Sequence, residues 1–244
     1  HLLPFLGGIG LADLTRFDVE RLKRELVGKG LSPATANRNL ATLSQLLHKA
    51  VEWGWLAKMP CKIPKYREEN RRTAYLSAAE IRRFILAAAQ DPCPVLEPFV
   101  RIALGTAMRR GEILAIELEH VDCANREIYI PKAKAGARTQ PMTASLAAWL
   151  DDWVLANCHP RQRFLFPAIR SRTGHRVEIE KPFRRAVKRA GLDLGKVVRH
   201  TLRHTAITHL VQAGVDLPTV QRFSGHKSIQ MVFRYAHADK SHLE

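Results

Sequence analysis

The stretch HTLRHTAITH, residues 200–209, places three cationic or titratable side chains within about one helical turn of one another. His200, Arg203 and His204 are three and four positions apart, so a helix would put them on one face. A guanidinium fork flanked by imidazole donors suits the oxygens of a phosphate. We interpret this face as an anion site, with an ordinary exposed cationic surface as the alternative from these residues alone.

A zinc site is a second use for the two histidines, because His200 and His204 have the i, i+4 spacing of helical metal ligands. The sequence has no HExxH motif. An arginine between the two ligands would also repel the ion. We therefore expect no metal here.

Two further segments supply groups that could act on the same anion. GTAMRRGEILAIELEHVD contains Arg109 and Glu112, and FSGHKSIQMVFRYAH contains His226 and Tyr235. A tyrosine hydroxyl has an unperturbed pKa of about 10, so it becomes a nucleophile at neutral pH only where cations stabilise its phenolate. Alone, Tyr235 would be an ordinary half-buried tyrosine. The presence of Arg109, Arg203 and His226 makes it a candidate nucleophile.

Together, GTAMRRGEILAIELEHVD, HTLRHTAITHLVQAGVDLPTVQRFSGH and FRYAH resemble the tyrosine recombinase family, also called the phage integrase family. The order arginine, hairpin lysine, H-x-x-R, G-H and tyrosine is matched across residues 75–238, and residues 12–66 resemble the family's helical core-binding domain. Five motifs in one order are far more specific than any one of them. The resemblance implies a DNA-cleaving and rejoining enzyme that forms a covalent 3′-phosphotyrosine intermediate without metal, ATP or another cofactor.

The resemblance also implies a role for each matching residue. Arg109 and Arg203 would bind the nonbridging oxygens of the scissile phosphate and stabilise the transition state, while Tyr235 would be the nucleophile. His200 and His226 would donate hydrogen bonds or help to move protons. Two further residues are expected to support the site rather than react: Glu112 and His204.

The proton for the leaving 5′ oxygen would come, by the same resemblance, from a lysine on a β-hairpin. Lys134 in KAKAGARTQP is the first choice because it just precedes the turn at Gly136. Lys132 lies on the same face of the strand two residues earlier and is the alternative acid. A lysine that only contacts the DNA backbone is the simpler role, and for Lys132 we expect DNA contact. Ala107 stands where the family often has glycine, a departure that removes no reacting group.

The composition favours a nucleic-acid partner. Lys and Arg outnumber Asp and Glu by 39 to 23, which gives a net charge of +16, a balance typical of proteins that bind a polyanion. The four scattered cysteines indicate neither a disulfide framework nor a zinc site. The sequence has no apolar run of about 18 residues and no export signal. We therefore expect a cytoplasmic protein, associated with the bacterial nucleoid, that binds double-stranded DNA and no membrane.

A long amphipathic helix is predicted near the start of the chain. Ser32 is its N-cap, proline follows at the first helical position, and the helix closes at Gly54. Its polar N-terminal half offers Thr35, Asn37 and Arg38, which could contact phosphates or base edges. A solvated surface is the alternative for these three side chains.

Other local patterns predict the elements of the second half. Ser77 and Glu80 form a capping box that opens a helix. The alternation in REIYIPKAKAGARTQPMT predicts a short β-hairpin in an otherwise helical chain. Gly191 and Gly214 are predicted helix stops.

The segment AKMPCKIPKYREENRRTA has two prolines and dense charge but no periodicity, so we interpret it as an interdomain linker. The predicted organisation is a helical core-binding (SAM-like) DNA-binding domain at 1–66, expected to be truncated at its N-terminus, a linker at 67–74 and a catalytic domain at 75–244. The predicted fold class is mainly α with a small β-hairpin or sheet (α+β).

By analogy with the family, the two domains would clamp duplex DNA, and four protomers would assemble on two DNA sites as a homotetramer. The preferred interpretation is an integrase of a prophage or mobile element. A Xer-type resolvase of chromosome dimers and a type IB topoisomerase-like enzyme share the chemistry and are alternatives. A rival of another class is a non-cleaving architectural DNA-binding protein, which would not need a nucleophile at Tyr235.

Overall fold

A computed structural model describes residues 1–67, 74–132 and 136–236 of the chain. The chain divides into two compact units, His1–Arg71 and Arg72–Glu244. Helices dominate both units, and a small antiparallel sheet lies in the second. The predicted fold class is therefore confirmed. Within the described ranges, no helix combines the length and the apolar character needed to cross a bilayer.

The first unit is a small helical structure around a leucine-rich core. Its helices are α1 (Leu3–Leu6), α2 (Arg16–Gly28) and α3 (Pro33–Glu52). The Ser32 hydroxyl accepts a hydrogen bond from the backbone N–H of Thr35, so the predicted helix and its N-cap are confirmed. Leu22 and Leu26 of α2 pack with Leu40 of α3 in the core.

The segment after α3 belongs in part to this first unit. Met59, Cys61 and Ile63 are half-buried against its core. Asn37 Nδ2 donates to the Tyr66 carbonyl at 3.0 Å, and the Tyr66 N–H donates to Asn37 Oδ1 at 2.8 Å. The stretch that lacked helical periodicity is thus fixed by side-chain contacts up to Tyr66, and residues 68–73 of the predicted linker lie outside the described residues.

The second unit contains the other elements. They are α4 (Ala78–Ala89), α5 (Leu96–Thr106), α6 (Arg110–Leu114), a 3-10 turn (Leu118–His120), β1 (Val121–Asp122), β2 (Glu127–Ile130), β3 (Arg138–Pro141), α7 (Ala144–Asn157), α8 (Glu180–Arg189), α9 (Arg199–Gln212), α10 (Leu217–Ser224) and α11 (Gln230–Ala236). The predicted capping box of Ser77 and Glu80 opens α4. The predicted hairpin is β2 and β3, with Ile130 opposite Arg138. The two-residue β1, which completes the sheet, is too short to show alternation and was not predicted.

Helix α9 is packed on two sides. Leu202 belongs to the large core of the unit, whereas Ile207 lies in a smaller cluster that also buries the ring of Tyr235. The predicted stops are confirmed, because Gly191 and Gly214 follow α8 and α9 with φ of 66° and 79°. The double packing fixes the polar groups on the first turns of α9.

Ala107 gives a prediction about backbone strain. It ends α5 in the left-handed conformation with φ 54°, and its side chain is fully buried. That conformation costs a non-glycine residue roughly 1–2 kcal/mol, and a lost buried methyl costs about 0.8 kcal/mol. We therefore expect Ala107→Gly to change the free energy of unfolding by less than about 1 kcal/mol. Ala103→Gly, inside the same helix, should destabilise by about 1–2 kcal/mol. Urea unfolding measures both, and equal losses would contradict the strain argument.

Candidate active site

Arg203 is a buried cation on α9, with only 2% of its surface exposed. Its Nη1 donates to the Ala107 carbonyl at 2.6 Å, and its Nη2 lies 3.3 Å from His226 Nε2. Burial and the charge of Arg109 lower the pKa of Arg203 to about 10, so the guanidinium stays protonated at neutral pH. Within the described parts of the chain, no carboxylate forms an ion pair with it. A phosphate oxygen would supply the missing negative charge.

Arg109 precedes α6 and is held from two directions. Its backbone N–H donates to Glu112 Oε2 at 3.0 Å, and its Nη1 donates to Glu112 Oε1 at 3.1 Å. Its Nη2 donates to the carbonyl of Gly225 at 3.1 Å. Because Gly225 directly precedes His226, these bonds bring Arg109 to the turn that also contacts Arg203.

His226 lies in the turn after α10, and both of its ring nitrogens have partners. Nδ1 is 2.7 Å from Ser224 Oγ, and Nε2 faces Arg203 Nη2. Burial, together with the charges of Arg203 and Arg109, lowers the pKa of His226 to about 4. The ring is therefore neutral at pH 7. Since a guanidinium can only donate, Nε2 must accept, and we infer that the proton is on Nδ1 and is shared with Ser224.

Tyr235 is only 2% exposed, and its hydroxyl lies 2.6 Å from Nδ1 of His204. Burial raises the pKa of Tyr235, although the charges of Arg234 and Arg203 oppose the increase. Burial and the neighbouring cations lower the pKa of His204 to about 3. At neutral pH the tyrosine is thus protonated and the imidazole is neutral. The hydroxyl donates to Nδ1 when the imidazole proton is on Nε2, and it accepts from Nδ1 in the other tautomer.

His200 is exposed on the first turn of α9. Its ring meets that of His204 edge-on, with centroids 4.6 Å apart, and it lines a cavity of about 220 Å³ together with Arg203. Desolvation and the charge of Arg203 lower its pKa. Among the described residues, no group of three or more His, Cys, Asp or Glu side chains is arranged to hold a metal ion. The predicted residues that the structure brings together are Arg109, Glu112, His200, Arg203, His204, His226 and Tyr235.

Only one of the two candidate lysines, Lys132, is among the described residues. Lys134 lies outside the described residues. Lys132 is exposed and lines a cleft of about 520 Å³ that Arg109, Glu112 and Tyr129 also line. The choice between the two lysines as general acid stays a prediction.

The predicted DNA contacts of the first unit have different environments. Asn37 is 6% exposed, and its amide bonds the backbone of Tyr66, which favours a structural role over the predicted contact with DNA. The Thr35 hydroxyl is 3.0 Å from that of Ser32 and takes part in the helix cap. Arg38 is exposed on α3, so its contact with DNA stays a prediction.

Arg138 on β3 is a site residue that the sequence argument missed. Its Nη1 and Nη2 donate to the two oxygens of Glu112 at 3.2 and 2.8 Å. A Cβ on Gly225 would lie 3.0 Å from this guanidinium, so the two groups are in close contact. Gln140, two residues further on, is buried and donates to the carbonyl of Phe223 at 2.9 Å. The sequence did contain a signal for these two residues: side chains two positions apart on a strand lie on the same face, so both polar side chains point inward.

Comparisons with known proteins identify similar chains. Residues 74–242 match the Phage integrase family. The tyrosine recombinase XerC of Serratia marcescens is 25% identical over 96% of this chain and 80% of its own length. The integrase of Salmonella phage P22 is 30% identical over 88% of this chain and 57% of its own length. The Tn1549 transposon integrase, solved in complex with transposon right end DNA, shares the fold with a TM-score of 0.78 at 20% identity, covering 94% of this chain and 83% of that one.

The shared carboxylate of Glu112 gives a prediction about stability. Its side chain is 7% exposed. Burial opposes its ionisation, but hydrogen bonds from Arg138 and Arg109 outweigh this effect and lower the pKa of Glu112. We expect Glu112→Gln to reduce the free energy of unfolding by about 3 kcal/mol, because two guanidiniums lose their counterion. The matched control is Glu119→Gln, at an exposed position, which should change it by less than about 0.5 kcal/mol. Guanidinium chloride titrations compare the variants, and a similar small change in both would contradict the assignment.

The neutral histidines give a prediction about pH. The pKa values of His204 and His226 are about 3 and about 4, whereas an unfolded histidine has a pKa of about 6.5. Below about pH 6.5 the unfolded chain therefore binds protons that the native protein does not, and stability must fall as the pH decreases. Unfolding free energies measured at several pH values between about 7 and 5 should show this slope, since carboxylates stay ionised there. His226→Gln should flatten the slope, and His159→Gln on an exposed loop should not. An unchanged slope in His226→Gln would contradict the prediction.

Proposed function

Since this chain belongs to the phage integrase family, whose members are tyrosine recombinases that cleave and rejoin DNA, we propose that Tyr235 is its nucleophile and forms a covalent 3′-phosphotyrosine intermediate. The observation that supports this role is the Tyr235 hydroxyl, which is bonded to His204 at 2.6 Å beside His226, whose ring centroid is 6.2 Å from that of the tyrosine. His226 in turn contacts Arg203. A protein that only bound DNA would not need a hydroxyl among these groups.

In this proposal Arg109 and Arg203 bind the nonbridging oxygens of the scissile phosphate. Arg203 is buried, and no carboxylate among the described residues forms an ion pair with it. Arg109 shares the carboxylate of Glu112 with Arg138, and the same carboxylate also acts electrostatically on Arg203, so three guanidiniums lie near one negative side chain. This excess positive charge would stabilise the pentacoordinate transition state more than the bound substrate, because negative charge develops on the phosphate oxygens in the transition state.

His200 and His226 assist these arginines with hydrogen bonds. Both rings have lowered pKa values, because each loses hydration in the site and lies near Arg203 and Arg109. A bound phosphate would bring negative charge and favour the protonated form of each ring. The two histidines would thus become better donors as the DNA enters the site.

Cleavage breaks the bond between phosphorus and the 5′ oxygen, and that oxygen needs a proton. Lys134 remains our first choice for the acid. Lys132 is the alternative, and its place in the same cleft as Arg109 supports it. The phosphotyrosine conserves the energy of the broken strand, so the reverse reaction rejoins DNA without ATP or a metal.

Duplex DNA is the proposed substrate, and the net charge of +16 supports it. We propose that a core-binding domain at 1–66, with Thr35 and Arg38, and a catalytic domain at 75–244 clamp the duplex, and that a homotetramer assembles on two sites. Its place of action would be the bacterial cytoplasm, at the nucleoid. The similarity to the phage P22 integrase favours a prophage or mobile-element role. The similarity to XerC over 80% of that protein's length favours a Xer-type role as the second candidate.

A metal-free cleavage assay tests the nucleophile. The protein is incubated in EDTA with a nicked duplex that carries the attachment site, or with a random pool from which that site is selected, and the products are separated on a denaturing gel. We expect a covalent protein–DNA adduct that Tyr235→Phe abolishes. The matched control is Tyr129→Phe, which removes the hydroxyl of an exposed tyrosine in the cleft beside Arg109 and should leave the adduct in place.

Two results would contradict the proposal. An adduct that persists in Tyr235→Phe would assign the nucleophile elsewhere. The protein could instead bind the selected duplex, with an affinity that falls steeply as salt increases, and form no adduct. That result would favour an architectural DNA-binding protein.

A further inference from the structure

His204 occupies a position between the candidate nucleophile and the cations of α9. From the sequence, His204 was expected to support the site rather than to react. The structure instead joins its Nδ1 to the Tyr235 hydroxyl at 2.6 Å. We propose that His204 is a catalytic residue that accepts the proton of Tyr235 as the tyrosine attacks the phosphate. This inference rests on the proposed function.

The other two histidines of the site are less suited to this step. His226 Nε2 faces Arg203, and its Nδ1 is bonded to Ser224, so neither nitrogen is open to the tyrosine. His200 contacts His204 through ring edges and faces the cavity beside Arg203. Within the described residues, His204 is the imidazole that is bonded to the hydroxyl.

The position of His204 is fixed by the packing around it. Its neighbours Arg203 and Thr205 on α9 are buried, and the Tyr235 ring belongs to the apolar cluster of α9, α10 and α11. The two rings lie with centroids 5.7 Å apart. Because both residues are held by rigid elements, the hydrogen bond is formed in advance of the reaction.

The surrounding charges make the base dependent on the substrate. Burial, and to a smaller extent the surrounding charges, lower the pKa of His204 to about 3, so the imidazole is a weak base by itself. A phosphate bound between Arg109 and Arg203 would offset this positive charge and raise that pKa. Proton transfer would therefore become favourable when DNA is bound. Among the described residues, the titratable and charged groups that face His204 are His200, Arg203, His226, Arg234 and Tyr235.

The proton and electron balance of the step is complete. The Tyr235 oxygen forms a bond to phosphorus while its O–H bond breaks, and the proton moves to Nδ1 of His204. The bond from phosphorus to the 5′ oxygen breaks, and that oxygen keeps the electron pair and takes a proton from the lysine acid. In rejoining, the imidazolium of His204 returns its proton to the departing phenolate.

Two replacements separate the proton acceptor from a merely structural group. His204→Asn places an amide oxygen near the position of Nδ1, so it can accept the hydrogen bond but cannot take the proton. His204→Ala removes both capacities. His159→Asn on an exposed loop is the control. We expect His204→Asn to bind the duplex normally and to form the adduct at least about 100-fold more slowly than wild type.

A substrate with sulfur in place of the 5′ bridging oxygen distinguishes the base from the acid. A thiolate leaves without a proton, so this substrate should restore a variant that lacks the lysine acid, such as Lys134→Ala or Lys132→Ala. It should not restore His204→Asn. The cleavage rate of His204→Asn should also increase with pH beyond the plateau of the wild type, because the hydroxyl must then lose its proton to solvent base.

Nitrogen-15 NMR of the histidines gives a readout that does not require cleavage. We expect Nδ1 of His204 to be unprotonated and its resonance to shift in Tyr235→Phe. A proton on Nδ1 would overturn the proposal, as would wild-type rates or full sulfur rescue in His204→Asn. If wild type forms the adduct in those cases, the role of Tyr235 stands and only His204 is excluded. Absence of any Tyr235-dependent adduct in wild type would instead remove the proposed function and this inference together.

Discussion

The concentration of positive charge around Arg203 is the constraint on which the second unit depends. Three guanidiniums lie near one carboxylate, that of Glu112, and Arg203 is almost fully buried. Such groups repel one another and lose hydration when buried, so they separate unless packing holds them. The packing of α9 between two apolar clusters supplies that restraint. The site is thus a strained arrangement of charge that the rest of the unit keeps in place.

The restraint reaches the site from elements far apart in the chain. Arg109 comes from the start of α6 and Arg203 from α9, and both contact the turn that carries His226. Strand β3 holds the same region, because Arg138 bonds Glu112 and Gln140 bonds the carbonyl of Phe223. Strand β3 is therefore connected to Arg109 through the carboxylate of Glu112. A shift of β3 would therefore displace Glu112 and, with it, Arg109.

Sequence alone predicted what depends on local chemistry. The helix start at Ser32, the capping box of Ser77 and Glu80 and the hairpin follow from side chains a few positions apart. The bond of Asn37 to Tyr66 spans 29 positions, and no local pattern distinguishes a buried asparagine with backbone partners from one that faces DNA. The partners of Arg138 were hidden for the same reason. Spacing placed His204 on the face of Arg203, but only the packing of α11 brings Tyr235 to it.

In the proposed mechanism, the same positive charge that would bind a phosphate also controls the ionisation of Tyr235. Burial keeps the Tyr235 hydroxyl protonated, and burial with the surrounding cations keeps His204 neutral and weakly basic. Neither residue alone favours a phenolate. In the proposed mechanism, a DNA phosphate would neutralise part of the positive charge at Arg109 and Arg203 and so strengthen His204 as a base. The arginines would still stabilise charge on the pentacoordinate phosphorus. Binding of the phosphate and activation of the nucleophile are then consequences of one change in local charge. By this proposal, Tyr235 would stay protonated until a DNA strand occupies the site.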